Sequence, residues 1–172
     1  MRRTLAILFL AAACAGAGGT RSPAAPGGGP SFRYRVAGQP AARSPLWVQP
    51  LAEGRVEYQL LSAGRASGVV TLERAVVNKG EDPVRVDVGR IRLRAASGDE
   101  LGLVQACAGG ECHEGSAARG QITQLEPGQT LRLRAEFGPV AADDAFDKAT
   151  FVDEGLYVGG KLALVAVELE RQ

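Results

Sequence analysis

The stretch Val70–Ala95, "VTLERAVVNKGEDPVRVDVGRIRLRA", decides the fold class of this 172-residue chain. Apolar residues alternate with charged ones on both sides of the turn-rich "KGED" at 79–82, so that Val84, Val86 and Val88 share one face. A period of two residues is typical of a β-strand with one buried and one solvated face. The stretch therefore predicts successive strands separated by a turn.

The alternation changes face after Val88, because the next inward apolar residues are Ile91 and Leu93. An odd spacing turns the following side chains to the other side of a sheet. Gly89 lies at the change and predicts a bulge or bend there.

The same alternation recurs on both sides of this stretch. It is found in "FRYRV" (32–36), "GRVEYQLL" (54–61), "LRLRAEF" (131–137) and "KLALVAVELE" (161–170). Gly159-Gly160 suits a two-residue hairpin, and Gly128 after Pro127 suits a type II turn. About seven or eight short strands without a convincing helix predict an all-β fold, an antiparallel β-sandwich over residues 31–172.

The segments "VTLERAVVNKGEDPVRVDVGRIRLRAASGDEL" (70–101) and "LEPGQTLRLRAEFGPV" (125–140) resemble bacterial extracytoplasmic immunoglobulin-like domains of unknown function. In those domains a strand ends in an N-x-G turn, a Pro-Val strand follows, and a late PG-x-T turn opens another. The resemblance covers roughly residues 67–140. It implies an immunoglobulin-like sandwich outside the cytoplasm and carries no catalytic residues.

The N-terminus predicts export. Arg2 and Arg3 precede the apolar run "LAILFLAAA" (5–13), which is too short to span a bilayer and is typical of a signal peptide. The run continues into "LAAACAG", which resembles the lipobox of bacterial lipoproteins, with Cys14 as the lipidated residue. Ala11 occupies the position where that family prefers leucine. The alternative is ordinary signal cleavage, which would leave a secreted protein.

Residues 15–30, "AGAGGTRSPAAPGGGP", are small and rich in Gly and Pro, and this composition predicts a flexible tether. We therefore expect three parts: a signal peptide (1–13), lipidated Cys14 with its tether (14–30), and one domain (31–172). Ala15 lacks the aspartate associated with inner-membrane retention. We expect a lipid anchor in the outer membrane facing the periplasm, with secretion or the cell surface as the alternative.

The charges of the chain are nearly balanced, with 20 basic and 19 acidic residues. Such a balance gives no electrostatic footprint for nucleic acid. The expected partners are the membrane, through the anchor, and an envelope protein or polysaccharide.

Cys107 and Cys112 are the two cysteines that remain if Cys14 carries lipid. Thiols this close in sequence are expected to form a disulfide outside the cytoplasm. Gly109 and Gly110 let the loop between them turn tightly. The disulfide-closed loop, with its solvated His113, is the expected structure.

Two other interpretations of "CAGGECH" remain. Spaced cysteines followed by histidine resemble a rarer haem-attachment variant of multihaem cytochromes, in which Cys107 and Cys112 bind the vinyl groups and His113 the iron. The mature chain offers no second histidine or methionine as axial ligand. A zinc or copper site could use the same three residues with Glu111 or Glu114, but a second ligand pair is absent. We expect no cofactor and no metal.

Two further groups carry charge. The acidic run Asp143, Asp144 and Asp147 predicts a solvated loop, with a weak cation site as the alternative. Five arginines alternate with apolar residues and predict the solvated face of a sheet, or a basic stripe for anionic lipid or polysaccharide: Arg90, Arg92, Arg94, Arg132 and Arg134.

No Gly-x-Ser-x-Gly motif is present, and one loop histidine is poorly placed for a catalytic triad. The sequence therefore favours a non-catalytic binding or scaffold module over a redox or metal carrier, and either over a hydrolase.

Overall fold

The computed structural model describes residues 29–40, 44–141 and 146–172 as one curled antiparallel sheet. The predicted all-β antiparallel fold is confirmed, whereas the predicted number of strands was wrong, since thirteen are present in these ranges. They are β1 (Phe32–Val36), β2 (Trp47–Leu51), β3 (Val56–Ala66), β4 (Val69–Asn78), β5 (Val84–Asp87), β6 (Ile91–Ala95), β7 (Glu100–Leu101), β8 (Leu103–Ala108), β9 (Glu111–Glu114), β10 (Ile122–Leu125), β11 (Thr130–Phe137), β12 (Lys148–Val158) and β13 (Lys161–Arg171). Two single 3-10 turns, Ala52–Gly54 and Gly115–Ala118, complete the described part.

The sheet has two halves that share β1. In the first half β2, β3, β4, β11, β8 and β9 follow one another, and in the second half β12 pairs with β13, β5 and β6, with β10 and β7 at the edges. The beginning of β1 pairs with β3, at Phe32 and Arg33, and its end pairs with β13, at Tyr34 to Val36. One short strand therefore joins the two halves into a single sheet.

The apolar positions of the alternating strands form the core, as predicted. Val56, Tyr58 and Leu60 of β3 are fully buried, and the inward residues of β11 are buried up to Phe137. Because both halves turn their apolar faces inward, most of the apolar surface is removed from water. Each Å² of apolar surface that is buried stabilises the fold by about 25 cal/mol. No helix in the described part of the chain is long and apolar enough to cross a membrane.

Gly89 lies where the alternation changes face, and the predicted bend is confirmed. The turn at Gly89 ends β5 and starts β6, and the two strands pair with different parts of β12. Between those parts β12 has a bulge after Asp153. A Cβ on Gly89 would meet backbone atoms of Ala118 at 2.3 Å, and one on Gly155 would meet the Asp87 carbonyl oxygen at 2.1 Å. Only glycine allows this approach of backbone to backbone.

The predicted glycine turns are also confirmed. Gly159 and Gly160 form a two-residue connection between β12 and β13 with φ of 56° and 75°. Gly128 has φ of 78° in the turn before β11. These positive φ values are open to glycine without the strain that a Cβ brings.

Four of the additional strands, β2, β7, β9 and β10, lack the alternation that identifies a strand in sequence. Pro50 stands inside β2, where it is tolerated because β2 is an edge strand that pairs only with β3. β7, β9 and β10 have two to four residues, too few to show a period. Their pairing depends on neighbours that are distant in sequence.

A buried polar cluster joins the two halves across the core. Asp153 of β12 accepts hydrogen bonds at its Oδ2 atom from the Tyr58 hydroxyl of β3 and from Arg74 Nε of β4, both at 2.9 Å. The backbone N–H of Gly155 donates to Asp153 Oδ1 at 2.9 Å. The side chains of Arg74 and Asp153 are 0% and 1% exposed, so this is a desolvated ion pair.

The rest of the cluster holds the arginine in place. Arg74 Nη2 donates to the Val88 carbonyl at 3.3 Å, and the guanidinium lies 5.9 Å from the centroid of the Phe151 ring. Burial and the adjacent Asp153 carboxylate raise the pKa of Tyr58 well above its ordinary value. The hydroxyl therefore remains protonated and keeps donating to the carboxylate across the neutral range.

The cluster predicts a contrast between breaking the ion pair and replacing it. Asp153→Asn is expected to lower the free energy of unfolding by about 3–5 kcal/mol, because Arg74 keeps an uncompensated buried charge. The triple variant Tyr58→Phe/Arg74→Met/Asp153→Leu is expected to recover most of this loss, since no buried polar side chain of the cluster remains. Urea denaturation followed by tryptophan fluorescence measures both. Equal destabilisation of the two variants would contradict the assigned role of the charge.

Candidate functional site

The outer face of the first half carries a groove beside the disulfide, with a volume of about 320 Å³. We call it the disulfide groove. Its walls are formed by the Cys107–Cys112 disulfide with Arg132 and Arg134 on one side, and by Leu61 and Glu73 on the other. The groove is open to solvent, so a ligand can reach it.

The predicted disulfide is confirmed, and the loop around it is a β-hairpin. β8 and β9 are joined by Gly109 and Gly110, with φ of 58° and 100°, and Cys107 lies directly opposite Cys112. Their sulfurs are 2.12 Å apart and their Cα atoms 4.0 Å. Two glycines in the left-handed region are the usual solution for a two-residue hairpin turn. β9 is an edge strand that pairs with β8 alone among the described strands, and the disulfide connects the two strands covalently.

The register between β8 and β11 places the disulfide next to arginine. Cys107 lies opposite Arg134, and directly opposed residues of neighbouring strands point to the same face. The backbone N–H of Gly109 donates to the Arg132 carbonyl at 3.3 Å, which extends this ladder into the turn. The disulfide and the two arginines, about 25 residues apart in sequence, therefore form one wall of the groove.

The other wall comes from β3 and β4. A bulge in β3 between Leu60 and Ser62 leaves Leu61 without an opposite residue, and Leu61 lines the groove. Ser62 Oγ donates to Glu73 Oε2 at 3.1 Å, which holds the carboxylate at the rim. This wall is thus an aliphatic side chain with an acid above it.

The two arginines of the groove differ in their partners. Arg134 Nη2 donates to Glu136 Oε1 at 2.6 Å, and its side chain is 54% exposed. The exposed side chain of Arg132 makes no hydrogen bond or ion pair with the described residues, so its guanidinium is available to a ligand. A guanidinium presents a planar fork of donors that matches carboxylate and phosphate groups.

His113 does not join the disulfide. It lies opposite the fully buried Ala106 of β8, on the face of β9 that is turned away from the sulfur atoms. It is half-buried in a strand, so its predicted place in a solvated loop was wrong. Within the described ranges, no three His, Cys, Asp or Glu side chains are grouped so as to hold a metal ion.

Glu111 and Glu114, the acids that were candidates to complete a metal site, are both exposed on β9. Because neighbouring strand residues point to opposite faces, Glu114 shares the face of Cys112 and Glu111 shares that of His113. The strand therefore divides the candidate ligands between its two sides.

The five arginines do not form one stripe, so this alternative to a simple solvated face is wrong. β6 pairs with β12 in the second half and β11 pairs with β4 and β8 in the first, so Arg90, Arg92 and Arg94 are separated from the groove. Arg90 Nη1 donates to the Tyr157 hydroxyl at 2.6 Å.

The other two arginines of the β6 group have acidic partners. Arg92 forms an ion pair with Glu154, and Arg94 Nε lies 3.5 Å from Glu100. Each of these three guanidinium groups thus has a hydrogen-bond or ion-pair partner, in contrast to that of Arg132.

Several predicted residues lie outside the described ranges. These are Cys14 with the signal and tether, and Asp143 and Asp144 of the acidic run. The third acid of that run, Asp147, is described, and it forms an ion pair of 3.4 Å with Arg171.

Comparison with known proteins gives little. The chain matches no family model and no curated protein sequence. Among solved structures, it is similar to the yjhA protein from Bacillus subtilis, with 12% identity and a TM-score of 0.40, over 59% of this chain and 73% of that one. At this level the similarity says nothing about function.

The disulfide predicts a modest contribution to stability. The Cys107→Ser/Cys112→Ser variant is expected to unfold with a free energy about 2 kcal/mol lower, because the small ring restricts few conformations of the unfolded chain. Urea denaturation of both proteins, with and without dithiothreitol, measures this. The reductant should lower the stability of the wild type to that of the variant and leave the variant unchanged. A wild type insensitive to complete reduction would contradict the prediction.

Proposed function

We propose that this chain is a lipid-anchored extracytoplasmic binding module without catalytic function, held at a bacterial membrane through Cys14. The observation that carries the proposal is the disulfide groove, where Arg132 of β11 lies beside a cross-linked hairpin and Leu61. The side chain of Arg132 has no partner among the described residues. A rigid, amphiphilic groove suits a ligand that combines an extended backbone with acidic groups.

Three features support a location outside the cytoplasm. The signal-like run at 5–13 and the lipobox-like residues before Cys14 favour export and lipidation. A structural disulfide between Cys107 and Cys112 is typical of oxidising compartments, because cytosolic reductants keep thiols reduced. The Gly- and Pro-rich segment 15–30 is long enough to hold the domain clear of a membrane surface. We place the anchor in the outer membrane, facing the periplasm.

The finer architecture that we propose is an immunoglobulin-like sandwich. The contacts of Asp153 with Tyr58 and Arg74 support it, since they require the two halves to face each other across the core. The connection of both halves by β1 is compatible with a sandwich whose first strand switches from one sheet to the other.

The proposed ligand is an acidic segment of an envelope protein or an acidic polysaccharide. Arg132 would bind its carboxylate or phosphate, and Leu61 would contact its apolar part. Glu73 sets the polarity of the opposite rim, because a second acidic group next to its carboxylate would be repelled.

Intact mass of the mature protein tests the anchor and the bond together. The expected mass is that of a chain beginning at acylated Cys14, and two alkylations are expected only after reduction. The matched variant Cys14→Ser should lose the acyl mass and leave the membrane fraction. An unmodified N-terminus at another residue would contradict lipidation, and a covalently bound haem would contradict the disulfide.

Charge reversal tests the groove. Arg132→Glu is expected to weaken binding to a partner recovered from detergent-solubilised envelope, or to a purified acidic envelope polysaccharide, by at least about 10-fold, since an attraction becomes a repulsion. Arg94→Glu, on the other half of the sheet, is the matched control and should bind as the wild type. Surface plasmon resonance at two salt concentrations measures both. Equal loss in the two variants would place binding elsewhere.

A further inference from the structure

The last strand, β13, has a long edge that is open within the described part of the chain. On one side β13 pairs with β12 from Lys161 to Glu170. On the other side β1 reaches only residues 169–171, with one further hydrogen bond from the Ala37 N–H to the Glu168 carbonyl at 2.9 Å. Within the described ranges, residues 161–167 therefore have a neighbouring strand on one side only.

The direction in which the backbone N–H and C=O groups of that edge point follows from the hydrogen bonds of Glu168 and Arg171, farther along β13. Glu168 accepts from β1, whereas Arg171 donates its N–H to Asp147 on the β12 side. Because the direction of the backbone groups alternates along a strand, the N–H and C=O groups of Leu162, Leu164 and Ala166 point to the open edge. They have no partner among the described residues.

The side chains of the same three residues add an apolar surface. Leu162 and Leu164 are 49% and 56% exposed, the latter being the highest value among the exposed large hydrophobic residues of the described ranges. Ala166 is exposed beside them on the same face, and Val152 of β12 is its cross-strand neighbour.

The other edges of the sheet are protected in ways that β13 is not. β2 contains Pro50, and β9 and β10 have only four residues each. Short strands and proline are common means of preventing edge-to-edge pairing. From Leu162 to Val167 the edge of β13 has neither a charged residue nor proline.

We propose that this edge pairs with the same edge of a second copy of this chain. Antiparallel pairing about Leu164 places it opposite Leu164 of the second copy, and places Leu162 opposite Ala166. All three positions then have both backbone groups directed at the partner strand, so each opposed pair exchanges two hydrogen bonds. The apolar side chains that are now exposed meet across the new strand pair.

Charge favours the antiparallel direction. Lys161 lies at one end of the open edge and Glu168 at the other. A parallel, in-register pair would set Lys161 opposite Lys161 and Glu168 opposite Glu168, whereas the antiparallel pair sets Lys161 opposite Val167 and keeps the like charges apart. Like charges on neighbouring strands destabilise pairing.

Cysteine cross-linking of the full chain tests the register. Leu164→Cys is expected to give a covalent dimer on mild oxidation, because the two introduced sulfurs face each other. Val104→Cys, at 42% exposure on β8, is the matched control and should remain a monomer on non-reducing electrophoresis. Failure of Leu164→Cys to cross-link, or equal cross-linking of the control, would overturn the proposed register.

Sedimentation of the full chain in detergent tests the dimer itself. The wild type is expected to be a concentration-dependent dimer, and Leu164→Lys should raise its dissociation constant at least about 10-fold while circular dichroism stays unchanged. Val104→Lys should dimerise as the wild type.

Two results would overturn the proposal. One is a wild type that is monomeric at all concentrations. Protection of the Leu164 amide from hydrogen exchange would then show that the chain's own residues cover the edge. Cross-linking of Leu164→Cys to another envelope protein would instead show that a different partner binds there. The other is a dimer unaffected by Leu164→Lys, which would place the interface elsewhere.

Discussion

The packing of the two halves against each other depends on one carboxylate. Asp153 is buried on β12, where the Gly155 N–H of its own strand donates to it, and its other donors are Tyr58 of β3 and Arg74 of β4 in the other half. The carboxylate is fully satisfied only when the two halves face each other. A desolvated aspartate that loses its partners costs several kcal/mol, and the two halves therefore have one relative position in which Tyr58 and Arg74 both reach it. The register of β12 follows, because a slip of one residue would turn Asp153 to solvent and leave Arg74 alone in the core. The apolar residues supply most of the stabilisation, and the carboxylate supplies the uniqueness of the arrangement.

The two proposed surfaces lie on opposite halves and have different chemistry. The disulfide groove combines a guanidinium with the side chain of Leu61 and a cross-linked hairpin, which suits recognition of a ligand by its charge and shape. The edge of β13 offers repeated backbone donors and acceptors with apolar side chains, which suits a strand of matching geometry. Since the two surfaces share no residue, occupation of one leaves the other accessible. A pair of copies would thus present two grooves, and two weak attachments to one envelope partner would act together.

The sequence could predict those features that arise within one strand or one turn. The alternation of Val84, Val86 and Val88, the bend at Gly89 and the glycine turn at Gly159 depend on neighbours in the chain, and the structure has them as expected. Cys107 and Cys112 are close enough in sequence for their bond to be expected as well. The groove could not be predicted from the sequence, because it is formed by the register of β11 with β4 and β8. Register depends on which two strands pair, and the pattern within one strand does not show it. The same limit applies to the arginines: the equal patterns of β6 and β11 leave one basic stripe open as an alternative, although the two strands belong to different halves.

The position of β1 has a consequence for how the protein reaches its fold. β1 is the first strand of the described ranges, yet both of its partnerships lie downstream, and the one with β13 joins residues 34–36 to residues 169–171. Contacts between such distant segments form slowly, because most of the chain must be confined before they contribute. A chain that emerges N-terminus first therefore keeps β1 unpaired on the β13 side until residues 169–171 arrive. Until then the apolar faces of the two halves stay open, and the molecule depends on rapid completion, or on a chaperone, to avoid aggregation.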